Sequence, residues 1–219
     1  VHEQAWAALF DWFLTEHGAG VADRSPFTPV DYQTYVDGKP RYDGVASFLA
    51  SRDIDVPWGS PDDPPGDDTV CALGNRKNEL FNRVLERDGI EPYAGSVRTL
   101  ELLARAEVPA AIVSSSRNAR AVLDAAGLGD RFEVVVDGGV VADDGLAGKP
   151  APDAYLLGAR RLGTDPAATV VVEDATSGVA AGAAGRFGVV IGVDRGAGVE
   201  ALLGHGATFV VSDLADLLD

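Results

Sequence analysis

Beyond Pro92 the chain repeats one unit, a short apolar run followed by a polar turn and a helical pattern. The apolar runs fall at residues 110–113, 134–136, 170–172, 189–193 and 209–211, and the helical patterns at 97–106, 119–126, 153–162 and 177–184. Strands alternating with helices cannot close into antiparallel hairpins and predict a mostly parallel sheet covered by helices, a Rossmann-like α/β core.

The preceding part follows a different rhythm. Residues 2–16 place Trp6, Leu9, Phe10, Phe13 and Leu14 on one broad apolar face, with Gly18 and Gly20 as stop signals, and residues 45–51 and 69–87 read as further helices. The proline-, glycine- and aspartate-rich stretch 57–68 is a loop, and no β-alternation occurs in this part. A chain of 219 residues can bury a core plus a smaller appended unit. The expected organisation is therefore a small helical domain over 1–90, linker included, and an α/β domain over 91–219.

Charge and composition restrict the partners. With 18 basic against 34 acidic residues and a net charge of −16, neither nucleic acid nor an anionic membrane is expected as the main partner. No apolar run approaches the ~20 residues of a spanning helix. The lone cysteine, Cys71, supports neither a disulfide framework nor a thiolate metal site, and a reducing cytoplasm is the simplest compartment. The expected species is a monomer.

Three polar constellations follow predicted strands or precede helices. In Val113-Ser-Ser-Ser-Arg-Asn118 an apolar strand runs into serines and then a helix. Its backbone N–H groups and the Ser114 hydroxyl can cradle an anion, or Ser115 or Ser116 can cap the helix. In Gly148-Lys-Pro-Ala-Pro-Asp153 flanking prolines fix Lys149, which either presents a point charge to phosphate or is a solvated surface lysine. At the end of Thr169-Val-Val-Val-Glu-Asp174 two adjacent carboxylates, Glu173 and Asp174, stand where open α/β sheets place ligands. Their hard oxygen donors suit Mg²⁺, although two solvated acids would look the same. Together the groups meet the needs of a phosphoryl dianion, which takes a cation, a lysine and backbone donors at once.

In this order the three motifs resemble those of the haloacid dehalogenase superfamily, with Ser114 as its second motif, Lys149 as its third and Glu173-Asp174 as its fourth. The helical first part resembles the cap that the superfamily inserts after its first motif. Val1-His-Glu-Gln-Ala-Trp6, Gly38-Lys-Pro-Arg41, Asn75-Arg-Lys-Asn78 and the serine and lysine motifs are similar to the β-phosphoglucomutase branch. The resemblance implies Mg²⁺-dependent phosphoryl transfer through an aspartyl-phosphate on a small phosphorylated sugar. Mutase action moves phosphate between C1 and C6 of β-glucose 1-phosphate through a bisphosphate. A sugar-phosphate phosphatase would use the same core but admit water.

The resemblance also implies roles for single residues. Arg41 grips the phosphate that is not transferred; His2 and Lys77 adjust proton transfer; Gly38, Trp6, Ser115, Ser116, Arg117 and Asn118 contribute to substrate or phosphate binding. Asp37 departs from the lysine that the mutases tend to carry before the glycine. The superfamily's first motif, Asp-x-Asp-Gly, does not occur in this sequence, and Asp53-Ile-Asp55 reads as a cap loop. Because the chain starts at Val1 within a helical pattern and contains no methionine, that motif is expected just upstream. An intact mass of 22.7 kDa would contradict this. If the motif is lost, the alternative is a non-catalytic phosphosugar-binding protein with a weakened metal position. A nucleotide-binding Rossmann domain is disfavoured, since no Gly-x-Gly-x-x-Gly follows an early strand.

Overall fold

The computed structural model describes residues 2–17 and 23–218, so the expected stop signals Gly18 and Gly20 lie outside the described residues. The chain divides into two compact units, Val1–Ile90 and Glu91–Asp219.

The first unit is helical: α1 (His2–His17), α2 (Pro29–Asp31) running into a π-helical turn at Tyr32–Val36, α3 (Arg41–Ser51) and α4 (Val70–Asp88). The 3–4 spacing of Trp6, Leu9, Phe10, Phe13 and Leu14 puts all five in the core. There Phe10 meets Phe48 of α3 at a ring separation of 4.0 Å and Phe27 at 5.2 Å. Helix α4 starts where Thr69 supplies the cap, its hydroxyl oxygen accepting the Ala72 N–H at 2.9 Å. Helix α3 begins at Arg41, earlier than the pattern from residue 45 predicts, because the helical turn 41–44 carries few apolar side chains and is started by Pro40. Asp53 occupies a left-handed turn (φ 55°) after α3 and Asp55 irregular chain, so Asp53-Ile-Asp55 does not end a strand.

The second unit alternates as predicted. After α5 (Ala94–Arg105) come β1 (Ala111–Val113), α6 (Ala119–Ala125), β2 (Val134–Val136), α7 (Gly138–Asp143), α8 (Asp153–Leu162), β3 (Val170–Glu173), α9 (Thr176–Ala184), β4 (Val189–Val193), α10 (Val199–Gly204) and β5 (Phe209–Val211). All pairings are parallel, in two hydrogen-bonded pieces: β1–β2, with Ala111 opposite Val134, and β3–β4–β5, with Val170 opposite Val189 and Ile191 opposite Phe209. Tyr155 and Ala159 of α8, Val171 of β3, Val179 of α9, Val190 of β4 and Leu202 of α10 form the main core of this unit. Among the described residues no helix is long and apolar enough to cross a membrane.

Candidate active site

Glu173 is the last residue of β3, and the two-residue period of a strand puts its side chain on the face of Val171, which enters the core, while Val170 and Val172 face outward. A carboxylate carried inward must find donors or give up its charge. Here Lys149 Nζ donates to Oε2 at 2.8 Å, the Tyr155 hydroxyl donates to the same oxygen, and the Ala175 N–H donates to Oε1 at 3.2 Å. Burial pushes the Glu173 carboxyl up, but the Lys149 ammonium and the hydrogen bonds from Lys149, Tyr155 and Ala175 outweigh it, and the net shift is downward. Burial, then the neighbouring Glu173 charge, raises the Tyr155 phenol well above its ordinary range, so it remains a donor. Lys149 is buried too, 4.8 Å above the Tyr155 ring, and is not a solvated surface lysine. Asp174, one residue on, is exposed.

The geometry depends on Gly178, two residues into α9. A Cβ there would lie 2.2 Å from Glu173 Cδ, and three hydrogen bonds keep that side chain from giving way. Gly178→Ala is therefore expected to dislodge Glu173 and cut turnover about 100-fold, a loss that a misplacement of about 1 Å can cause. Steady-state kinetics beside a circular-dichroism spectrum check this, and undiminished turnover of a folded variant would contradict it.

The serine segment leaves the end of β1, where the Ser114 N–H still bonds Val136 O at 2.9 Å. Ser114 Oγ accepts the Ser116 N–H, and Ser116 Oγ the Asn118 N–H, each at 3.1 Å. The hydroxyls thus shape a turn ahead of α6, whose cap residue is Asn118 and which neither Ser115 nor Ser116 caps. This corrects the capping alternative; two of the N–H groups that could have faced an anion are bonded within the turn. Arg117 is exposed, and Ser114, Ser115 and Asn118 are half-buried.

In the first unit, α1 and α4 bring His2 and Lys77 together, Nζ to Nδ1 at 2.9 Å. The Lys77 ammonium lies 4.9 Å from both the Trp6 and Phe81 ring centroids. Burial first, then Arg41, lowers Lys77 to about 7. Burial first, then Lys77, lowers His2 to about 3. The imidazole is therefore neutral at pH 7 and accepts at Nδ1 from the ammonium, which is poised near half-protonation. Arg41, at the start of α3, donates Nη2–H to Asn78 Oδ1 at 2.8 Å. Gly38 takes a positive φ of 72° in the turn before it. Trp6, expected to bind substrate, is 4% exposed and stacks on Phe10 within the core.

Tyr155 escaped the sequence reading, because it sits in an apolar helical pattern where an aromatic reads as core. Asn78 entered it only as the last residue of a motif. No spacing rule links Asn78 to Arg41, 37 residues away.

A hard-oxygen pair suits Mg²⁺, which takes one or two carboxylates and keeps several waters. Glu173 and Asp174 are such a pair, and among the described residues no group of three or more His, Cys, Asp or Glu adds to it. A parallel α/β unit with a serine, a buried lysine and paired acids at its strand ends fits an enzyme acting on phosphate esters.

Comparison with known proteins is more specific. The chain belongs to the haloacid dehalogenase-like hydrolase family, whose model matches residues 1–186, and within it to the β-phosphoglucomutase-like branch. It is 50% identical over 224 aligned residues to a β-phosphoglucomutase of Mycobacterium tuberculosis, covering 100% of this chain and 85% of the relative. Over 171 residues it is 42% identical to hexitol phosphatase A of Escherichia coli, covering 77% of this chain and 70% of that protein. The crystal structure of a β-phosphoglucomutase from Clostridium difficile shares the fold, with a TM-score of 0.75 at 21% identity, over 99% of this chain and 85% of that one.

Proposed function

We propose that this enzyme is a β-phosphoglucomutase, converting β-glucose 1-phosphate to glucose 6-phosphate through a bisphosphate. The observation that carries the reading is the 50% identity to a β-phosphoglucomutase along the whole chain, through both units and not the α/β unit alone. In this reading the Ser114 hydroxyl and the Lys149 ammonium bind the phosphoryl group in transfer. Glu173, anchored by Lys149, and Asp174 hold Mg²⁺, which when bound neutralises charge on the phosphoryl oxygens. Arg41, its guanidinium steadied by Asn78, offers a planar fork to a phosphate. Lys77, hydrogen-bonded to His2, holds or releases a proton near neutral pH. No residue of the 219 is assigned the nucleophile's role.

A phosphatase reading has its own support in the 42% identity to hexitol phosphatase A. Products separate the two. Supplied with β-glucose 1-phosphate and Mg²⁺, the protein is expected to form glucose 6-phosphate faster than inorganic phosphate, followed by a coupled dehydrogenase assay and by phosphate release. Phosphate as the dominant product would establish a phosphatase instead.

A further inference from the structure

The hydrogen bonds around Glu173 distribute its acceptor capacity unevenly. An ionised carboxylate has about four acceptor positions, two on each oxygen. Lys149 Nζ and the Tyr155 hydroxyl occupy both positions of Oε2, and the Ala175 N–H takes one of Oε1. One position is left, on Oε1. A tyrosine whose only task was packing would not need this arrangement. The Tyr155 ring already has an edge-on partner in Phe187, at 5.9 Å, and phenylalanine would pack there equally well.

We infer that Tyr155 is a positioning residue that confines Glu173 to binding a cation through one oxygen, and so favours Mg²⁺ over Ca²⁺. This rests on the reading of Glu173 as a magnesium ligand. The selectivity follows from the ions themselves. Mg²⁺ demands near-octahedral, single-oxygen ligation, whereas Ca²⁺ readily takes both oxygens of a carboxylate and a larger ligand number. Removing the hydroxyl vacates a position on Oε2 and loosens the carboxylate, which costs Mg²⁺ its fixed ligand and opens two-oxygen binding to Ca²⁺.

The test is calorimetric titration of the full chain with MgCl₂ and, separately, CaCl₂, for the wild type, Tyr155→Phe, Phe187→Leu and Glu173→Gln. Tyr155→Phe is expected to weaken Mg²⁺ binding about tenfold, the lower end of what loss of a partner behind a metal ligand costs, and to leave Ca²⁺ binding unchanged or tighter. Phe187→Leu, which disturbs only the packing of the ring, is expected to lower the melting temperature without changing the ratio of the two affinities. Equal shifts for both ions in Tyr155→Phe, or no shift, would overturn the inference while leaving the metal reading intact if Glu173→Gln still abolishes binding. Failure of Glu173→Gln to weaken either ion, or of the wild type to bind either, would overturn the metal reading and the inference with it.

Discussion

Replacing Lys149 with methionine is expected to lower turnover of a sugar phosphate about 1,000-fold, the scale seen when a preorganised donor to transition-state charge is removed. The same change is expected to destabilise the fold by about 3 kcal/mol, because it leaves Glu173 ionised in a site that is 11% exposed with only Tyr155 and Ala175 as donors. The two effects have different origins and can be separated. In Lys149→Met/Glu173→Gln the buried charge is gone as well, so most of the stability returns while turnover stays low. Urea unfolding at pH 7.5 beside steady-state kinetics reads both. A single variant as stable as the wild type would mean that the ion pair is not the anchor described, and a single variant with undiminished turnover would remove Lys149 from the chemistry.

The second large effect concerns pH. Lys77 has its folded pKa near 7 against 10.5 for a free lysine, so between those values the unfolded chain binds more protons than the folded one. Stability therefore rises with pH across that window, by roughly 1 kcal/mol per unit where the difference is fully developed. His2, lowered from 6.5 to about 3, acts in the same direction at lower pH, and stability is lost as pH falls through that range. In Lys77→Met the rise between pH 7 and 10 is expected to flatten. The variant's stability relative to the wild type is thus greatest near pH 6 and declines as the medium becomes alkaline. Chemical unfolding at a series of pH values checks this, and parallel curves would show that Lys77 is not desolvated. Turnover gives an independent readout, since the wild-type profile is expected to bend near pH 7 and the variant to lose that inflection along with about 100-fold in rate.

Local patterns carried much of the fold. Valine-rich runs and 3–4 spacing are properties of neighbouring residues, and they located the strands to within a residue and placed Trp6, Leu9, Phe10, Phe13 and Leu14 in the core before any contact was known. Elements without such a pattern were not legible. The short helix Gly138–Asp143 owes its start to a cap, Asp137 accepting from the Gly139 and Val140 N–H groups, while the π-helical turn at Tyr32–Val36 and the short helix Val199–Gly204 have no side-chain cap to announce them. The serines after β1 looked equally suited to capping α6, and only the backbone path showed them shaping the turn before it.

By itself the sequence determined the α/β alternation, which follows from residue type and from spacing along a strand or helix, and the order of Ser114, Lys149 and Glu173-Asp174 carried the resemblance to the family. The tertiary structure decided which groups engage which. It buried Lys149 against Glu173, added Tyr155 from α8, set Asn78 behind Arg41 and desolvated Lys77 beside His2. These pairings join residues 18 to 75 positions apart. Their energies depend on desolvation and on distances of a few ångströms, quantities that exist only once the chain has folded.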